Sequence, residues 1–181
     1  MNLSQLIDEV NKDLDDSLAT GDVTGWLNRA LDDLSPIAKK EARFVSPVTS
    51  TIQLPDDYLE IALLLVDDTE LFPVSLRDKT SKGYKVWGNE LILQNTPSEV
   101  EIELYYYKRL SHLEEEEDIP EIDPSYHDLL VLYATAHSQY AEEEPERQID
   151  AMNRYLARKR EYEAFILRNS FQTSEIIETG W

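Results

Sequence analysis

Apolar residues at Leu3, Leu6, Ile7, Val10 and Leu14 recur at intervals of three and four, which predicts an amphipathic helix from Leu3 to about Asp16. Gly21 interrupts it. Asp22 or Thr24 is expected to cap a second helix, with Leu27, Ala30, Leu31 and Leu34 on one face and Trp26 at its start. Because proline suits a first helical turn better than a helix interior, a break is expected near Ser35, with a third short helix from Pro36 to about Phe44.

The period changes after Pro47. Val48, Ser50, Ile52 and Leu54 alternate with polar residues and predict a strand ending at Pro55. Glu60 to Val66 reads as a more buried strand followed by an Asp67-Asp68 turn, and Glu70 to Val74 as a third, short one. Tyr84–Trp87 and Glu90–Leu93 flank Gly88-Asn89, the glycine-first pair of a type II′ hairpin. Val100, Ile102, Leu104 and Tyr106 alternate with Glu101, Glu103, Tyr105 and Tyr107 in the clearest strand of the chain, with one face for a core and the other for a subunit contact.

Glu114 to Asp118 is a run of acids leading through Pro120 and Pro124, a linker whose end offers Asp123 as cap and Pro124 as first-turn residue. The helix that follows carries Tyr126, Leu129, Leu130, Tyr133, Ala136, His137 and Tyr140 on one face and is expected to end near Glu143. Pro145 opens a last helix, expected to bury Ile149, Met152, Leu156 and Ile166 and to fade around Arg168. Arg154, Arg158, Lys159 and Arg160 form its basic patch. The expected class is α+β: an α-helical bundle of N- and C-terminal helices packed together (residues 1–46 and 112–168), a central antiparallel β insertion (47–111) and an extended C-terminal tail (169–181).

Charge and composition narrow the functional classes. Thirty-seven acids against seventeen bases give a net charge of -20, which repels nucleic acid and anionic membrane alike. With no cysteine, disulfides, thiol catalysis and cysteine-ligated zinc are excluded, and a reducing cytoplasm is the expected place of synthesis. No apolar run approaches the roughly 18 residues of a membrane span, so no membrane partner is expected. Five scattered glycines allow neither a Walker loop nor a dinucleotide fingerprint. His112, His127 and His137 lack the spacing of a single-helix metal site, and His137, four residues after Tyr133, reads as a hydrogen-bonded core or interface histidine. No catalytic residue, metal site or cofactor is expected. A metal-dependent carboxylate hydrolase or nuclease stays open only because acids are abundant, without a pattern to hold a metal.

Three stretches resemble the head-to-tail adaptor (connector) proteins of tailed bacteriophages. They are Trp26-Leu27-Asn28-Arg29-Ala30-Leu31, Leu54-Pro55-Asp56-Asp57-Tyr58, and the acidic, proline-bearing helix entry Asp118 to Ala134 with its Tyr126-His127 and Tyr133-Ala134. The resemblance spans residues 3 to 168. It implies a structural virion protein, made in the host cytoplasm and placed at the head–tail interface, forming a ring of roughly twelve copies on the portal protein. It also implies a tail-side completion, stopper or tail-tube protein as the second partner, and double-stranded DNA passing through the channel without specific binding. Another virion protein, a stopper or tail-completion subunit, is the alternative. The candidate channel lining is Asp8, Glu9, Asp13, Asp15 and Asp16, since acidic walls let DNA slide. The candidate portal or subunit anchors are Phe171, Ile176, Ile177 and Trp181, together with Arg154, Arg158 and Arg160; the tail after Arg168 is expected to be disordered until it finds its partner.

Overall fold

The computed structural model of the chain describes residues 1–12, 17–48, 50–97, 100–138 and 145–178, with Val48 and residues 171–178 described by backbone alone. The chain is α+β and divides into two compact units, Met1–Lys39 with Leu110–Trp181, and Lys40–Arg109.

In the first unit, α1 (Leu3–Asn11) starts at a reciprocal cap in which the Asn2 side chain accepts from the Gln5 amide and Gln5 returns the bond to the Asn2 amide. Its stripe buries Leu3, Leu6 and Val10 as the spacing predicts. The helix ends at Asn11, and Asp13, Asp15 and Asp16 lie outside the described residues.

Helix α2 (Thr20–Ala38) differs from expectation at both ends. It begins before Asp22 and Thr24, with Ala19 at the N-cap, so neither residue caps it; Asp22 instead sits in the first turn, where the helix dipole favours an acid. It also runs through Pro36 rather than breaking at Ser35. Pro36 gives up one backbone bond in the last turn of the helix, and beside it Ser35 Oγ donates to the Leu31 carbonyl at 2.8 Å while accepting the Leu110 amide at 3.0 Å. Lys39 then turns the chain in the left-handed region, with φ of 46°.

The third helix expected over Pro36 to Phe44 is therefore absent: strand β1 (Lys40–Val48) takes its place, and residues 40–46 belong to the β unit. Glu41, Arg43 and Val45 face solvent while Ala42 and Phe44 pack on the core, a period of two that the helical reading missed. As β1 is an edge strand, Pro47 leaves no central ladder bond unmade.

The β unit holds two antiparallel sheets. One has the order β1-β7-β3-β4, with β3 at Tyr58–Val66, β4 at Thr69–Glu70 and β7 at Val100–Lys108. The other has the order β2-β6-β5, with β2 at Thr51–Gln53, β5 at Gly83–Trp87 and β6 at Glu90–Gln94. The strand expected over Val48 to Leu54 is thus divided between sheets. The one expected over Glu70 to Val74 shrinks to β4 plus a single Pro73–Tyr84 bridge. Positive φ at Asp67 and Asp68 makes the β3–β4 turn, and positive φ at Gly88 alone of its pair fits the glycine-first hairpin. Ile52, Leu64, Leu91, Leu93, Ile102, Leu104 and Tyr106 fill the core of this unit.

After β7 the chain returns to the helical unit. The Asp123 carboxylate accepts the Ser125 amide at 2.9 Å and starts a 3-10 turn at Pro124–Tyr126, followed by α3 (Asp128–His137). Ser138 is already extended, so α3 ends six residues short of Glu143; residues 139–144 lie outside the described set. Helix α4 (Pro145–Glu178) starts where Pro145 predicts but continues ten residues past Arg168, so the backbone of 169–178 is helical rather than an extended tail. One core joins these elements: Leu27, Leu31 and Leu34 of α2, Leu129 and Leu130 of α3, and Tyr155 and Tyr162 of α4 are all essentially inaccessible. Burying each such leucine contributes about 1.5–3 kcal/mol.

Candidate interaction surface

Helix α4 buries Ala151, Tyr155 and Tyr162, with Met152, Phe165 and Ile166 partly covered. Ile149 and Leu156, expected on that face, point outward with relative exposures of 60% and 45%, and Leu167 joins them at 48%. The two tyrosines, seven apart, outcompete the aliphatic pair with the same spacing because their rings reach aromatic partners. Tyr155 meets Tyr133 at 5.2 Å, and Tyr126 meets Tyr162 at 5.0 Å and Phe165 at 5.2 Å. At about 3.6 residues per turn, Ile149 and Leu167 are five whole turns apart and Leu156 about two turns from Ile149, so the three form one outward apolar line.

The basic patch of α4 divides in function. Arg158 bonds to Asp128 at 2.9 Å, Glu161 at 2.7 Å and the Ser125 carbonyl at 2.6 Å, and its guanidinium lies 4.4 Å from the centre of the Tyr126 ring. Lys159 pairs with Asp33 of α2 at 2.5 Å, and the Tyr155 hydroxyl donates to the same carboxylate oxygen. Partial burial works to raise the pKa of Asp33, but Lys159 and Tyr155 outweigh it and hold the group below its ordinary value. These two cations are internal struts of the helical unit. Among the described residues Arg154 makes only an exposed pair with Asp150, and Arg160 is exposed.

The anchors expected beyond Arg168 fall as follows: Phe171, Ile176 and Ile177 occupy backbone positions in the last turns of α4, and Trp181 lies outside the described residues. Of the acids expected to line a channel, Asp8 and Glu9 are exposed on α1, away from its buried stripe, and Glu9 pairs with Lys12 at 3.0 Å.

His137 is exposed and packs against the Tyr133 ring at 4.3 Å, so it is not a core histidine; the buried one is His127. The Met1 amine donates to His127 Nδ1 at 2.8 Å, and Nε2–H of the ring donates to the Ile122 carbonyl at 3.3 Å. Burial and the neighbouring ammonium both push the pKa of His127 down, keeping the ring neutral. A histidine next to a tyrosine at a helix entry carries no periodic signal of burial in the sequence. On β7, Tyr106 faces the core and donates to Asp57 at 2.9 Å, while Tyr105 on the other face bonds Glu103 at 2.9 Å under Arg43.

The family model described as SU10 adaptor protein matches residues 1–173. The chain belongs to the SU10 adaptor family. It is thereby a phage head–tail adaptor, a structural protein of the virion. The match takes in both units, including the helix entry at Asp118 to Ala134 that carries the sequence resemblance. A search of curated proteins finds no match to this adaptor. No helix among its described residues is long and apolar enough to cross a membrane.

Proposed function

We propose that this adaptor assembles as a ring of roughly twelve copies beneath the phage portal, extends the DNA channel and offers the platform on which a tail-side completion, stopper or tail-tube protein docks. In this reading the β module is an insertion in the α-helical bundle, and both belong to the ring. The acidic balance of -20 serves the channel, because walls carrying Asp8 and Glu9, and with them Asp13, Asp15 and Asp16, repel phosphate and let DNA slide. The observation that carries the reading is the outward line of Ile149, Leu156 and Leu167 on a helix that goes on to bear Phe171, Ile176 and Ile177. A helix of 34 residues, roughly 50 Å long at about 1.5 Å per residue, is long enough to pack within its own unit and still reach a neighbour or the portal.

Attachment to portal-bearing heads tests the proposal. Deleting residues 169–181 should leave the melting temperature within a few degrees of wild type, since among the residues whose side chains are described none in the helical core lies beyond Ile166, while abolishing attachment. Attachment at wild-type affinity would place the anchor elsewhere, with Arg154 and Arg160 the next residues to replace.

A further inference from the structure

The chain is acidic, yet between Leu71 and Asn89 four cations, Arg77, Lys79, Lys82 and Lys85, accompany a single acid, Asp78: a net of +3 within a total of -20, bounded by Glu70 and Glu90. The stretch is held in place. Lys85 of β5 reaches under it to the carbonyls of Leu76 and Asp78, Gln94 Nε2 donates to the Ser81 carbonyl at 2.7 Å, and Asn95 Nδ2 donates to the Thr80 carbonyl at 2.8 Å. The Asp78 carboxylate accepts from the amides of Thr80 and Ser81 at 2.7 and 3.0 Å and is thereby occupied within the loop. Gly83 gives the incoming chain its room, since a Cβ there would lie 2.6 Å from the Phe72 carbonyl oxygen.

What the platform presents is cationic and apolar together. Arg77, Lys79 and Lys82 are exposed and make no ion pair among the described residues. Leu76 is 53% exposed, and Trp87, two residues along β5 from Lys85 and so on the same face, is 65% exposed. The chain also carries the complement. Glu114, Glu115 and Glu116 are exposed and make no side-chain ion pair among the described residues, and Ile119 beside them is 67% exposed. That segment is held as well: Asp118 accepts the amides of Glu114 and Glu115, both at 2.8 Å, and its carbonyl accepts the Leu3 amide at 2.9 Å.

We infer that the cationic Arg77–Lys82 platform with Leu76 and Trp87 docks on the acidic Glu114–Glu116 segment with Ile119 of a second copy of this chain. Two different patches meeting across copies make a heterologous contact, the type that propagates head to tail and, where the rotation between copies closes, forms a ring. The inference rests on the ring reading above and supplies its subunit contact.

The absence of native cysteine makes the test direct. Full-length Lys82→Cys and Glu115→Cys variants are mixed under mild oxidation, at high concentration and again on portal-bearing heads, beside a Lys12→Cys with Glu115→Cys control. The 82–115 disulfide should form at least about tenfold faster than the 12–115 one, because a docked pair has a high effective concentration, and added salt should slow it. Equal rates in both settings would overturn the contact. Rings on the portal without the 82–115 cross-link would sink the contact and leave the ring reading standing; the cross-link without portal attachment would do the reverse. Retention of duplex DNA that is lost in the triple variant Arg77→Glu, Lys79→Glu, Lys82→Glu, without any cross-link, would assign the platform to DNA and overturn the proposal.

Discussion

Two buried polar residues hold the helical unit together in ways that can be measured. Ser35 is 2% exposed, and its hydroxyl both donates to Leu31 and accepts the Leu110 amide, tying α2 to the chain returning from the β unit. Ser35→Ala leaves that amide without its partner, so urea unfolding should show a loss of about 1–3 kcal/mol, the cost of an unsatisfied buried donor. His127 sets the pH response. Its pKa is lowered in the folded chain by burial first and by the Met1 ammonium second, so below the ordinary 6.5 the unfolded chain takes up a proton that the folded chain resists. Its stabilising effect is therefore complete above 6.5 and declines as pH falls toward the folded value. The melting temperature should drop on going from pH 7.5 to pH 5.5, and His127→Gln should flatten that slope in differential scanning calorimetry. An unchanged slope would show that the carboxylates, not His127, govern the acid side.

At the level of single elements, Gly83 and the outward line of α4 give opposite expectations. A Cβ at Gly83 would sit 2.4 Å from Val74 Cγ1 and 2.6 Å from the Phe72 carbonyl oxygen, so Gly83→Ala should destabilise by about 1–3 kcal/mol in denaturant titration, as overpacking does. Leu156→Ser on α4 removes no core contact and should leave the unfolding midpoint nearly unchanged while weakening attachment to the portal. A fall in stability comparable to a core leucine, about 2–5 kcal/mol, would mean that Leu156 is not a surface residue. Element by element, the sequence was legible where one pattern had no rival. The alternation over Val100 to Tyr107 and the Gly88-Asn89 hairpin stand, and Asp123-Pro124 does open the helical segment, though as a 3-10 turn with the α-helix starting at Asp128. It misled where two patterns fit the same spacing: Ile149 and Leu156 repeat as regularly as Tyr155 and Tyr162, and only the aromatic partners on neighbouring elements decide which pair turns inward. Lys40 to Phe44 likewise reads as the end of a helix, because Pro36 looks like a helix start when its neighbours in space are unknown. The end of α4 was missed because the polar residues after Arg168 mark no stop.

For the whole molecule, family membership marks a phage structural adaptor, and the resemblance was readable in the Asp118 to Ala134 segment before any fold was known. The surfaces were only partly readable. The sequence singled out the basic patch of α4, but Arg158 and Lys159 are consumed by Asp128 and Asp33, whereas the apolar line and the cationic β platform emerge only once burial and pairing are resolved. The central claim is that this adaptor seats on the portal as a ring. Electron microscopy of the purified protein mixed with its phage's portal tests it most directly. The account predicts an added ring of density on the tail-facing end of the portal, coaxial with the channel; intact portals that show no added density at saturating protein would contradict it.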